Sequence, residues 1–300
     1  MKKKIYIYFI VILIIKMIID DYNKIKHLEN EEGLKTNWIK YANEKTQNLD
    51  DYIKLKPNYI KNVNILKSDS NFIEIIIKYL NTIFSIDCSY INFDLEKNID
   101  NFKNTIQKKT NNKIFFFKYL LNYFNNSFYT NNVKRTIDNE QYNSEFLKLL
   151  LNDNPSTLLH CNLIFTNIDT LCKKILITDK DIYMKGCAFL FGSSDMNGNE
   201  IVVSDYRINN SDNYVDLLIK LMIHEFGHSL DIEHCNKRKC VFNGIMCLED
   251  LLYIPIYPCL ECCSKIAFAT NRTLLEQINR MLEIFDNDIK FMMCKKILEY

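Results

Sequence analysis

Three of the chain's five histidines fall within eleven residues, in His224-Glu225-Phe226-Gly227-His228 and then His234. Two histidines four positions apart on a helix lie about 40° apart around its axis, so both imidazoles lean the same way and can share one metal ion. Glu225 follows the first of them, which sets its carboxylate beside such a metal without binding it, where a general base must stand. Were the helix to continue, His234 would lie about 280° round from His224, off the shared face. As a third ligand it therefore requires the helix to stop soon after His228 and the chain to turn back. Three neutral imidazoles fill three positions of a tetrahedral zinc and leave the fourth for water, the open arrangement of a catalytic site. A different reading takes a downstream carboxylate, Glu249, as the third ligand in place of His234. His27 and His160 have no such neighbours.

The cysteines make a second group. Cys235 follows His234 directly, and Cys240, Cys247, Cys259, Cys262 and Cys263 come after it. Cys235-x4-Cys240 with Cys259-x2-Cys262 suits a closed, structural zinc, with Cys263 as an alternative partner. Cys88, Cys161, Cys172, Cys187 and Cys294 stand in apolar surroundings and read as core residues.

The elements that must position these groups can be read from periodicity. Asp212 to Leu230 is one long helical pattern, with Val215, Leu218, Leu221, Met222 and Phe226 as its apolar positions. Upstream, Leu158 to Phe165, Lys174 to Thr178, Cys187 to Phe191 and Ile201 to Ser204 are short apolar runs bounded by turn residues, hence strands. Asn71 to Phe84, Lys113 to Phe124 and Ser144 to Leu151 suit helices, the second of them a strand as an alternative, and Asn152 to Ser156 closes off the last. Strands followed by a helix with polar groups on one face predict an α+β catalytic domain. Residues 21–74 are polar and irregular and read as a linker or a loosely packed region, with the catalytic domain over 75–300. At the N-terminus, Lys2, Lys3 and Lys4 precede an apolar run from Ile5 to Ile19, broken only at Lys16. Such a segment, in residues 1–20, predicts an uncleaved signal-anchor with the lysines cytoplasmic. As a helix it would reach about 22 Å, short of a roughly 30 Å hydrocarbon core, so an apolar helix docked on the domain is the other reading.

The run HEFGHSLDIEHCNKRKC, with CLEC downstream, resembles the archaemetzincins, a family of zinc metallopeptidases of the metzincin clan. Their pattern joins HExxHxxGxxH to a Cys directly after the third His, a second Cys five positions on, a Met and a distal CxxC. The resemblance extends to Lys174–Tyr183, Phe189–Gly192 and Ile201–Arg207, more weakly to Gln141–Leu150, and is absent from residues 1–70. It implies a metzincin-like catalytic domain, with a mixed, mostly parallel twisted sheet packed on an active-site helix, further helices and a four-cysteine zinc knuckle. It also implies two zinc ions per chain. His224, His228 and His234 would hold the catalytic zinc, Cys235, Cys240, Cys259 and Cys262 the structural one, and Glu225 would be the general base of peptide-bond hydrolysis. Two positions depart from the pattern. The family's helix-breaking Gly is Asp231, which enters the left-handed region at a cost of roughly 1–2 kcal/mol. The family's Met is replaced by Phe242, and Met246, after Asn243-Gly244, is expected to serve as a displaced Met-turn beneath the zinc. A segment within Phe189–Tyr206 would offer an edge strand to an extended substrate.

These departures motivate a second function reading, a catalytically silent zinc-binding domain of the same fold. Composition narrows the partners. Among 300 residues, 38 basic side chains face 37 acidic ones, a net charge of +1, so no global field draws in nucleic acid. The Lys237–Lys239 run has no aromatic platform beside it and reads as a solvated loop. The expected partners are a peptide or protein substrate and, through the N-terminal anchor, a membrane, with the chain monomeric. The expected location is membrane-anchored or in the secretory pathway, through the uncleaved signal-anchor, with the cytoplasm as the alternative. The sequons at Asn125, Asn209 and Asn271 do not arbitrate in so Asn-rich a chain.

Overall fold

A computed structural model describes residues 2–29, 36–42, 44–55, 57, 59–101, 134–136, 140–151, 172–286 and 288–299. The expected helix over 113–124, the strand over 158–165, the closing turn at 152–156, and His160, Cys161 and Asn125 lie outside them.

Alternation of apolar side chains builds the main sheet. Strands β1 (Asn62–Lys67), β2 (Asp87–Asn92), β5 (Lys173–Thr178), β7 (Gly192–Ser194) and β8 (Glu200–Ser204) are ordered β2-β1-β5-β8-β7. The first four strands in that order pair in parallel, and β7 pairs antiparallel with β8 at the edge. Val63, Ile65, Ile175, Ile177, Ile201 and Val203 are buried on one face in the larger core. The alternate residues Leu66, Leu176 and Val202 are buried on the other face, with Phe146, Leu147 and Leu151. Two buried faces are what a parallel sheet requires, since crossover helices cover both sides. A smaller sheet, ordered β3-β4-β6, is formed by β3 (Lys134–Thr136), β4 (Glu140–Asn143) and β6 (Asp181–Tyr183). This is the expected α+β architecture with a mixed, mostly parallel sheet.

The described α-helices are α1 (Lys2–Ile25), α2 (Asn37–Tyr41), α3 (Leu49–Leu55), α4 (Ile73–Phe84), α5 (Ser144–Leu151), α6 (Tyr214–His228), α7 (Leu248–Tyr253), α8 (Leu260–Ala269), α9 (Leu274–Ile284) and α10 (Ile289–Leu298). Helix α6 presents Leu217, Leu218, Leu221, Met222 and Phe226 to the larger core, where Phe84 of α4 meets Phe226 with ring centroids 4.6 Å apart. The expected strand at 187–191 is different: only Leu190 forms a bridge, to Ile182, and strand pairing begins at Gly192.

Two expectations about the N-terminal part are revised. The segment 21–74 was expected to be a linker or a loosely packed region, yet β1 lies within it and pairs on both sides, with β2 and β5. The membrane-anchor reading, with its transmembrane helix and membrane-bound location, is corrected. Among the described residues, no helix is long and apolar enough to cross a membrane. Helix α1 instead docks on the domain: Ile18 and Ile25 are fully buried, and Tyr22 packs against the larger core. Just beyond α1, Glu29 accepts hydrogen bonds from the Leu260 amide at the start of α8 (2.8 Å) and from Lys290 of α10 (2.7 Å). Lys16, Asp20, Asp21 and Lys24 interrupt the apolar character that a span needs.

Candidate metal centres

Helix α6 must end early if His234 is to return to it, and backbone hydrogen bonds show how it does. The Ile232 amide donates to the Gly227 carbonyl (3.1 Å) and the Asp231 amide to the His228 carbonyl (2.9 Å), the paired bonds of a Schellman turn. The residue in the left-handed position of that turn is Asp231, with φ 62°. Glycine is favoured there because a Cβ crowds the adjacent carbonyl. Asp231→Gly is therefore expected to stabilise the protein by about 1 kcal/mol, and chemical denaturation measures it; a loss of stability would show that the Asp231 side chain contributes more than its backbone costs. The turn also aims the Ile232 carbonyl at His228, whose Nδ1 donates to it at 2.7 Å.

The three histidines are oriented in one way. Nδ1 of His224 donates to the Val241 carbonyl (2.8 Å), and Nδ1 of His234 donates to Oε2 of Glu44 (2.9 Å). With each Nδ1 so engaged, Nε2 of each ring is left as the ligand atom. Nε2 of His224 and His228 are 3.0 Å apart, and one ligand atom from each of the three residues fits within 4.8 Å. Two nitrogens on one tetrahedral zinc, each at ~2.0–2.1 Å, would stand roughly 3.3 Å apart, so the cluster fits that ion. Burial and the neighbouring rings hold His224 well below the usual imidazole range, and burial pushes His228 down to about 3. Both are thus neutral, the form that a metal requires.

Glu225 is buried beside them. Its Oε2 accepts from Ser194 Oγ of β7 at 2.8 Å. A Cβ on Gly192 would lie 2.5 Å from Oε1, so this strand can run flush against the carboxylate only because Gly192 has no side chain. Burial raises Glu225 to about 7, opposed by the Ser194 hydrogen bond and the Lys148 ammonium.

Beneath His224 lies Phe242, fully buried, with ring centroids 6.4 Å apart. A Cβ on Gly227 would lie 2.0 Å from its ring, so the glycine within the histidine motif makes room for this aromatic floor. Met246, expected in that role, is 43% exposed, and its amide donates to Asp250. Phe242 itself fills the position where the resemblance calls for Met.

The second cluster brings together Cys235, Cys240, Cys259 and Cys262, all buried. Sγ of Cys235 and Cys259 are 3.8 Å apart. Two sulfurs on one tetrahedral zinc, each at ~2.3 Å, would stand roughly 3.8 Å apart, whereas a disulfide would hold them at ~2.05 Å. The amides of Phe242 (3.5 Å) and Cys259 (3.2 Å) both donate to Cys240 Sγ. Hydrogen bonds from Cys240, Cys259 and Cys262 hold the Cys235 thiol well below its usual range, while burial pushes Cys240 well above it. Four thiolates in one dry pocket repel one another, and a divalent cation removes that conflict. Buried Asn243 ties the loop: its Oδ1 accepts from the Cys240 amide (3.0 Å), and its Nδ2 donates to the Cys235 and Arg238 carbonyls. Cys263 stays outside, its Sγ directed at the Pro258 carbonyl, and Glu249 is exposed at the start of α7. In the basic run, Arg238 is not solvated as expected but pairs with Glu261 at 3.0 Å.

Sequence reasoning missed Ser194, Gly192, Phe242, Trp38 and Glu44 as parts of this site. The clash at Gly192 and the aromatic floor at Phe242 appear only once strand and helix are packed. Glu44 lies 190 positions from His234 in the chain, and no pattern in the sequence links them.

Comparison with known proteins bears on these groups. The profile of Peptidase family M54 matches residues 162–267. The archaemetzincin of Archaeoglobus fulgidus is 36% identical over 94 residues, which are 31% of this chain and 58% of that protein. The archaemetzincin of Sulfolobus acidocaldarius is 31% identical over 96 residues, 30% of this chain and 54% of that one. The chain thus spans little more than half the length of these relatives. Among solved structures, the A. fulgidus archaemetzincin complexed with malonate is 21% identical with a TM-score of 0.44, over 68% of this chain and 98% of that one. A zinc-dependent peptidase from Methanocorpusculum labreanum is 16% identical with a TM-score of 0.47, over 68% and 99%. Residues 162–267, which carry both the histidine and the cysteine clusters, thus match the profile of Peptidase family M54 and are similar to the archaemetzincins.

Proposed function

We propose that this chain is a zinc-dependent peptidase, with His224, His228 and His234 holding the catalytic zinc and Cys235, Cys240, Cys259 and Cys262 a second, structural one. The observation that carries the reading is the convergence of three ring nitrogens beside the buried carboxylate of Glu225. Zinc held by three imidazoles supplies a Lewis acid and lowers the pKa of water toward roughly 7. Glu225, buried beside the three imidazoles, takes the proton from the attacking water and returns it to the leaving amine. Ser194 fixes Oε2, leaving Oε1 to handle the proton. β7 pairs only with β8 among the described residues, so its outer edge can accept an extended peptide as an added strand. Gly192 and Ser194, both on β7, would then bring the scissile bond next to Glu225.

The test is incubation of the zinc-loaded protein with an unbiased peptide mixture, read by mass spectrometry. New peptide termini are expected. A product profile identical to that of the peptide mixture alone would overturn this reading in favour of the silent zinc-binding domain.

A further inference from the structure

The polar segment between α1 and β1 lies outside the region matched to the family, yet its side chains converge on the end of the active-site helix. Gln47 Nε2 donates to the Asp231 carbonyl (2.9 Å), Gln47 Oε1 accepts from the Glu233 amide (3.3 Å), and Tyr52 Oη donates to the Leu230 carbonyl (2.7 Å). Lys265 of α8 holds Gln47 from behind, through its carbonyl (2.6 Å) and its Oε1 (3.1 Å). Trp38 meets His234 edge-on, with ring centroids 4.6 Å apart, and a Cβ on Gly244 would lie 2.2 Å from the indole. The Trp38 ring is therefore wedged between His234 and the Gly244 backbone. Glu44 closes the arrangement by accepting from Nδ1 of His234.

His224 and His228 sit on a rigid helix, and backbone carbonyls hold their rings. His234 lies in irregular chain, and both groups that hold its ring, Glu44 and Trp38, come from this distant segment. We infer that Glu44 is a positioning residue for the metal: its carboxylate fixes the His234 ring with Nε2 toward the other two imidazoles. The inference rests on the reading of the three histidines as zinc ligands. A carboxylate or carbonyl behind a ligating imidazole typically accounts for 10–100-fold in metal affinity. The N-terminal segment, on this view, completes the metal centre instead of tethering the domain.

The experiment is a zinc titration of the full chain against a chromophoric chelator, with the cysteine site kept filled, on wild type, Glu44→Ala, Glu44→Gln, His234→Ala and the double variant Glu44→Ala/His234→Ala. Glu44→Ala is expected to weaken the histidine site about 10–100-fold. Glu44→Gln, whose side-chain carbonyl can still accept from Nδ1, is expected to retain part of that affinity. In the His234→Ala background Glu44→Ala should have no further effect, because the ring it positions is gone. Cobalt bound in place of zinc should change its visible spectrum in Glu44→Ala, a signature that general loss of stability would not give. Wild-type affinity in Glu44→Ala, or an equal loss from it in both backgrounds, would overturn the inference. So would a loss in both Glu44 variants that only follows a fall in metal-free unfolding temperature. If His224→Ala and wild type bind the same amount of zinc, the three-histidine reading itself fails, and the inference with it. That outcome is separable because it does not involve Glu44.

Discussion

Replacing Glu225 with Gln should lower peptide cleavage by about 10²–10⁴-fold while leaving the zinc content unchanged. The size of the effect follows from what the carboxylate is asked to do. Gln keeps the shape of Glu and can still accept from Ser194 Oγ at the position now 2.8 Å away, so the packing against Gly192 survives. It cannot take a proton from water or deliver one to a leaving amine. Both transfers are therefore lost, but the three ring nitrogens and their Nδ1 partners stay in place. Parallel measurement of cleavage rate and bound zinc separates the chemical role from a structural one. Retained cleavage in a zinc-replete variant would show that another group moves the proton. Zinc lost together with activity would place Glu225 among the ligands.

How much of this site could be read in the sequence depends on how locally each part is encoded. The His224–His228 pair is fixed by helical geometry alone, which also requires the helix to stop before His234; the family resemblance put the break at Asp231, which does take the left-handed position. The Cys235–Cys240 and Cys259–Cys262 pairs were legible from their short spacings, and α6 and the core strands β5 and β8 from their apolar periodicity. What was misread depends on packing between distant segments. An apolar run with a basic start looks alike whether it enters lipid or a groove between helices, and only the burial of Ile18 and Ile25 distinguishes them. The polar stretch before β1 carries no periodicity because its side chains bind backbone carbonyls and one histidine ring, contacts that leave no repeating pattern. The floor beneath His224 was sought in Met246 because a methionine was the expected residue type. Volume at Gly227 decided it instead, and the Phe242 ring fills the space that a side chain there would occupy.

Protein purified without reductant should carry two zinc ions per chain, and Cys240→Ser should unfold near the temperature at which the fully metal-stripped protein unfolds. The expectation rests on where the cysteine cluster sits. Cys235 is bonded directly to His234, so the two proposed metal centres share a stretch of backbone. The Cys235 amide donates to the Phe242 carbonyl (2.8 Å), which ties the knuckle to the floor of the histidine site. On the other side, Cys259 stands just before α8, whose first amide is held by Glu29 beyond the docked α1. Binding free energies of structural zinc in small peptides reach about 10–16 kcal/mol, as large as the whole stability of a typical domain, ~5–15 kcal/mol. Four buried thiols left without a cation would have to hold their protons with little solvation, so the empty knuckle is no neutral alternative. Loss of this ion should therefore loosen α8, α1 and the His234 loop together, and the histidine site should lose its metal as a consequence. Elemental analysis, thiol titration and thermal unfolding of wild type and Cys240→Ser measure each part. One zinc per chain with four fewer free thiols would mean that the knuckle is closed by disulfides. Two zincs with four thiols protected until the metal is removed is the result that the 3.8 Å sulfur separation leads us to expect.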